Sequence, residues 1–205
     1  DDPRRGEPAQ GNLLEGGIRV PAILEWPARI PTPRTTDIPC NTSDFLPTLL
    51  ELAGVPLPEN QPPLDGISLT PLINKKMTLR KKPMGFWDYP AGGRGKHARA
   101  ILEALRREQQ TGEQKPAAKE GHVNRQYPAD TFPGPAAWID GDWKLMTSSS
   151  KGKPTSNLRL YNLGNDPKEK SNLADKHPEK VKAMRLELRN WQKSVVNSLN
   201  GKDYN

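Results

Sequence analysis

"AAWIDGDWKLMT", Ala136 to Thr147, is the stretch on which the fold turns. Two runs of apolar and β-prone residues flank Asp140-Gly141, a dipeptide suited to the positive φ angles of a tight turn, so the stretch predicts a β-hairpin. "NLRLYNL" follows as a second alternating strand. Beyond it, Val181, Met184, Leu188, Trp191, Val195 and Leu199 recur at three- and four-residue steps behind Pro178. That pattern predicts one long helix, started by proline at its first position and packed by its apolar stripe. A hairpin, a further strand and a closing amphipathic helix make this half of the chain α+β.

Working toward the N-terminus, "MGFWDYP" (Met84 to Pro90) predicts a short strand. Between it and the hairpin, residues 91–135 shift to Gly, Lys, Arg, Gln and Glu, with one weak helix in "HARAILEALRREQQ". This region reads as an insertion. "PPLDGISLTPLI" reads as turn, short extended piece and turn. "NTSDFLPTLLELAGVPLP" has a helix's punctuation: capping residues at Thr42, Ser43 and Asp44, proline in the first turn, Leu46, Leu49, Leu50 and Ala53 on one face, and Gly54 at the end. "IRVPAILEW" (Ile18 to Trp26) reads as a largely buried strand entered from Gly16-Gly17, short or at an edge because of Pro21.

Composition sets limits on function. The chain has 205 residues, 22 of them proline and 33% hydrophobic, so it is loop-rich with a modest core. Its net charge of +7 makes anionic polymers candidate partners. No basic run alternates with aromatics, as a single-strand nucleic-acid groove requires, and one cysteine allows neither a zinc finger nor an internal disulfide. No segment approaches the roughly 20 apolar residues that span a membrane. Asn41-Thr42-Ser43 matches a glycosylation acceptor. His97, His122 and His177 show no metal-ligand spacing, and Cys40 has no nucleophile motif around it and reads as an inert, part-buried thiol. The residues alone supply no complete active site.

"GNLLEGGIRVPAILEWPARI", "SDFLPTLLELAGVPLP", "LDGISLTPLI", "GFW", "AAWIDGDWKL" and "LYNLGNDPKEKSNLADKHPE" occur in an order that resembles the sulfatase family, of the alkaline-phosphatase-like superfamily. The resemblance implies the C-terminal part of that α/β fold. Residues 1–75 would end the large domain, and 76–205 would form a subdomain with a small antiparallel sheet packed by the last helix, interrupted by the polar insertion at 91–135. It implies a sulfuric ester hydrolase acting on a sulfated saccharide or aryl sulfate, and a periplasmic or secreted parent. Sulfatases use a formylglycine made from Cys or Ser in a C/S-x-P/A-x-R motif, beside a divalent cation, usually calcium. A hard cation and a preorganised anion site suit charge that spreads over sulfate oxygens.

This chain carries no such motif. Cys40 is followed by Asn-Thr-Ser-Asp, and no serine fits. The family's last metal-binding turn lies upstream of the "EGG" block. Calcium and formylglycine therefore belong to the complete enzyme, with no catalytic or metal residue expected here. The partners implied are an upstream catalytic half of the same polypeptide and a sulfated substrate, with neither nucleic acid nor membrane. Two departures stand out. Gln10 occupies the position of the family's sulfate-contacting Lys, which makes it the candidate substrate-binding residue and removes a charge-assisted contact. Gly134-Pro135 stands where relatives often place a His near the leaving group. A different class of function is also open: a non-catalytic module that binds sulfated polysaccharide through its positive charge.

Overall fold

The computed structural model describes residues 13–89, 96–112, 126–150 and 153–204. Its centre is a four-stranded antiparallel sheet in the order β1-β2-β3-β4, formed by Met84–Trp87, Ala136–Asp140, Trp143–Ser150 and Lys153–Asn162. The hairpin forms as the sequence predicts, but one residue later. Asp140 pairs with Trp143, so the two-residue loop is Gly141-Asp142, and Gly141 alone takes positive φ (53°). Glycine at the first loop position matches a turn that needs only one left-handed residue.

The pleat sorts the sheet's side chains onto two faces, and both are covered. On one face, Ala136, Trp138, Leu145 and Leu160 pack against Val181, Met184 and Leu188 of α5 (Pro178–Leu199). On the other, Ala137, Met146 and Tyr161 pack under Leu13 and Leu14, with Phe86 of β1 beside Ala137. Burial on both sides explains why the middle strands read as continuous apolar runs rather than strict alternation. The predicted stripe on α5 holds for its first three members. Trp191 and Val195 are only half-buried, Leu199 is exposed, and Gln192 and Val196 are buried instead. The 100° step of the helix carries the contact face past Val195 before its end.

The N-terminal portion departs most from expectation. No strand forms in Ile18 to Trp26. Glu15–Ile18 makes one helical turn, α1, and the following residues are irregular, with Ile23 96% exposed. β-prone residues need a sheet to join, and no strand among the described residues pairs with them. The helix in "NTSDFLPTLLELAG" is present: a 3-10 turn at Thr42–Asp44 leads into α2 (Phe45–Ala53), closed by Gly54 at φ 66°. Asn41 caps it, its side-chain oxygen accepting from the Ser43 amide at 3.2 Å. Its leucine face is open, with Leu46 and Leu49 exposed. The end of "PPLDGISLTPLI" is a helical turn, α3 (Thr70–Ile73), where an extended piece and turn were expected. Proline at its start is compatible with a first helical turn. The weak helix exists as α4 (Lys96–Thr111), with Leu102 and Leu105 exposed.

Candidate functional site

Lys144 is fully buried near the start of β3, on the face that Leu13 and Leu14 cover. A buried ammonium must be paired, and here it has two carboxylates. Its Nζ lies 2.9 Å from Oε1 of Glu15 and 2.8 Å from Oε1 of Glu169. The second oxygen of Glu169 accepts the Glu15 backbone N–H at 2.6 Å. One charged cluster thus joins three distant pieces of chain: the "EGG" turn, the hairpin and the "NDPKEKSN" turn. Glu169 takes φ 53°, a conformation that costs energy in a non-glycine residue and here aims its carboxylate inward. The turn returns to the sheet through Asn172, whose Oδ1 accepts the Leu160 N–H at 3.0 Å.

A second buried network organises the chain around α2. Asp44 is fully buried and receives both guanidinium branches of Arg80, at 2.8 and 3.0 Å. The amides of Asn41 and Ile67 donate to the same carboxylate, each at 2.8 Å. Burial pushes the Asp44 carboxyl upward. The Arg80 hydrogen bonds and the two amides outweigh it and hold the group below its ordinary range. Gly66 is required here, because a Cβ would stand 2.0 Å from the Ser43 carbonyl oxygen. Arg34 reaches from the preceding loop to the carbonyls of Leu72 and Ile73, at 2.9 and 2.6 Å.

Beside the Asp44 network, at the edge strand β1, lies a cleft of about 310 Å³, lined among others by Asn41, Asp65, Lys82, Phe86, Trp138 and Trp191. The Trp191 indole N–H donates to Asp65 Oδ1 at 3.3 Å, and its ring lies over Gly85, where a Cβ would come within 2.5 Å. The aromatic cluster continues from Trp191 to Trp138 and Trp87, with ring centres 6.0 and 6.4 Å away.

The predicted site residue Gln10 lies outside the described residues, as does His122. Cys40 is exposed rather than part-buried, and its thiol pKa is raised by partial desolvation and by Asp44. His177 is exposed and packs edge-on against Trp143, with ring centres 5.0 Å apart. The carboxylates do not suit calcium. Those of Glu15 and Glu169 are committed to Lys144, and that of Asp44 to Arg80 and amides. Among the described residues no cluster of three or more His, Cys, Asp or Glu offers a metal site. Nor does exposed Cys40, followed by Asn41, sit in a motif that becomes formylglycine. The described residues therefore do not fit either group. Among them, no helix is long and apolar enough to cross a membrane.

The two buried ion clusters were not foreseen. The signal for the first was a lysine inside the apolar run Trp143–Met146 at the start of a strand. For the second it was Asp44 at the start of a helix, read only as a cap.

Residues 11–105 match the family described as N-sulphoglucosamine sulphohydrolase, C-terminal. Human steryl-sulfatase is 46% identical over 67 residues, which cover 33% of this chain and 11% of that protein. Human arylsulfatase A is 39% identical over 87 residues, covering 42% and 17%. A sulfatase of Formosa agariphila is 37% identical over 84 residues, covering 40% and 15%. The chain thus matches only 11–17% of the length of these relatives. A solved structure in complex with D-glucosamine-2-N,6-O-disulfate overlaps 78% of this chain and 24% of the other, at 19% identity and a TM-score of 0.42. Over residues 11–105 the chain is similar to the C-terminal portion of sulfatases.

Proposed function

We propose that this chain closes the substrate side of a sulfatase whose nucleophile and calcium site reside in an upstream half of the same polypeptide. In this reading residues 1–75 end the large α/β domain and 76–205 form the smaller subdomain. The polar stretch 91–135 is its specificity element, because long loops on a rigid scaffold commonly carry recognition. Calcium and formylglycine would be supplied by the upstream half, and the isolated chain would hydrolyse nothing. The substrate is a sulfated saccharide or aryl sulfate.

One observation carries the reading: the Glu15–Lys144–Glu169 cluster. It binds the "EGG", "GDWKL" and "NDPKEKSN" blocks, those that resemble sulfatases, into one rigid body. The residues entering from Leu13 therefore start from a fixed place on the sheet. Gln10, shortly before that place, is proposed to face the sulfate where relatives carry Lys.

Two assays test this. The chain alone should show no aryl-sulfate turnover and no calcium dependence, and turnover surviving mutation of Cys40 would overturn that expectation. Joined to its upstream half, the protein should hydrolyse sulfate esters, and Gln10→Lys should raise kcat/KM by restoring a cation beside the anionic transition state. No gain, or a loss, would displace Gln10 from the site. The competing reading, a non-catalytic module for sulfated polysaccharide, requires salt-sensitive retention on heparin with no hydrolysis by the joined protein.

A further inference from the structure

Helix α5 has a second side that the core does not use. Lys182, Arg185, Arg189 and Lys193 follow one another at steps of three and four, so they share one flank of the helix. At 1.5 Å per residue the row is roughly 16 Å long. Among the described residues none of the four makes an ion pair with a carboxylate. Glu187, on another side of the helix, is occupied by the Trp138 indole N–H at 2.9 Å.

Arg189 differs from a freely solvated arginine. It is half-buried, and its guanidinium stands 4.7 Å from the centre of the Phe132 ring. Phe132 in turn packs 6.0 Å from Trp87, in the aromatic cluster beside the sheet. Arg189 is therefore held in place, and Arg185 lies one turn away with the same charge. Burial first, and Arg185 second, disfavour its charged form. Two like charges, one of them fixed and partly desolvated and neither paired with a carboxylate among the described residues, suit an anion with several oxygens. A guanidinium fork satisfies such a group with paired hydrogen bonds.

We propose that the Lys182–Arg185–Arg189–Lys193 flank of α5 is a docking site for sulfated polysaccharide, with Arg185 and Arg189 gripping one sulfate and the two lysines steering the chain. The choice of sulfated saccharide rests on the sulfatase reading above. It also agrees with the absence of an aromatic residue within the row, since single-stranded nucleic acid needs rings on which bases stack. The Phe132 ring is already covered by Arg189.

The test is a binding measurement with no turnover step, so it stands apart from any failure to find hydrolysis. The full chain would be titrated with a heparin-type sulfated hexasaccharide, its desulfated counterpart, and a single-stranded DNA of equal charge, at about 0.1 M salt, where exposed charges beyond a Debye length are screened. The sulfated sugar should bind and the desulfated one should not. Arg185→Glu with Arg189→Glu should weaken binding about tenfold or more, while Lys76→Glu with Lys81→Glu, the same change in net charge elsewhere, should alter it less than about threefold. Phe132→Ala, which frees Arg189 without touching a charge, should weaken binding by a smaller factor. If the double reversal misfolds by circular dichroism, Arg185→Gln alone, at an exposed position, should still weaken binding. Equal losses for both reversals would overturn the site, and tighter binding of DNA would overturn its assignment to sulfated saccharide.

Discussion

Lys144 shows how a single residue can organise a sheet. Taking an ammonium out of water is tolerable only because two carboxylates meet it, and each depends on the others. Lys144→Met would leave Glu15 and Glu169 facing each other in the interior. Removing one partner of a buried pair typically costs about 3–5 kcal/mol, so chemical denaturation should show a loss of that size. A loss below about 1 kcal/mol would mean water reaches the cluster. Asp44 gives a pH test. Its folded pKa is depressed, so its contribution is fully present above the unfolded carboxyl value of about 3.9 and is lost as pH falls through the lower folded value. Stability should therefore fall below about pH 4, and Asp44→Asn should flatten that part of the profile while lowering stability at neutral pH. An unchanged acid limb in the variant would assign the loss to other carboxylates. Cys40 gives a kinetic test. Exposed but with a raised pKa, it should be alkylated at pH 7.5 more slowly than free cysteine, because the thiolate is the reactive form.

At the scale of elements, α5 and β1 meet through one side chain. The Trp191 ring occupies the space a Cβ on Gly85 would need, at 2.5 Å. Gly85→Ala should destabilise the protein by about 1–3 kcal/mol through overpacking. Trp191→Ala should cost about 3–5 kcal/mol if the ring is core, and less in proportion to its exposed edge. The pair should be strongly non-additive, since without the indole the new methyl has room. Additive losses would place the ring elsewhere. This contact also shows what the sequence made legible. Trp191 lies on a helical period that anyone can count, and Asp140-Gly141 announces its hairpin. Local signals of that kind located all four strands and α5. The cover over the other sheet face, made by Leu13 and Leu14, had no such signal, because its partners Ala137 and Met146 lie more than a hundred residues away. Ile18 to Trp26 misled for the complementary reason. Its residues suit a strand, but a strand needs a neighbour, and strand propensity says nothing of whether the neighbour exists. The Glu15–Lys144–Glu169 cluster was hidden by distance too, although a lysine inside the apolar run Trp143–Met146 was a visible anomaly.

The whole molecule combines a well-covered sheet with an uncovered N-terminal portion. Val20, Ile23, Leu24, Phe45, Leu46, Leu49, Val55 and Leu57 are all at least 46% exposed and fall within residues 20–57. Scattered exposed leucines need no explanation, but eight large apolar residues in under 40 positions exceed what a free surface usually carries. Under the proposed function, this portion ends the large domain and the upstream half covers it. Two forces then compete in the isolated chain. Burial of apolar surface favours self-association, and a net charge of +7 opposes it. Salt screens the second force without weakening the first, with a Debye length of about 10 Å at 0.1 M and 3 Å at 1 M. The isolated chain should therefore bind an apolar dye and should associate more as salt rises, the reverse of an assembly held by ion pairs. Sedimentation across a salt series reads this directly. Ile23→Lys with Leu49→Lys should suppress both dye binding and association while leaving the melting transition of the sheet unchanged, because neither side chain reaches the core. Joining the upstream half should abolish dye binding as well. A chain that stays monomeric and dye-free at high salt would show that the apolar residues cover one another, and the large-domain assignment of residues 1–75 would fall with it.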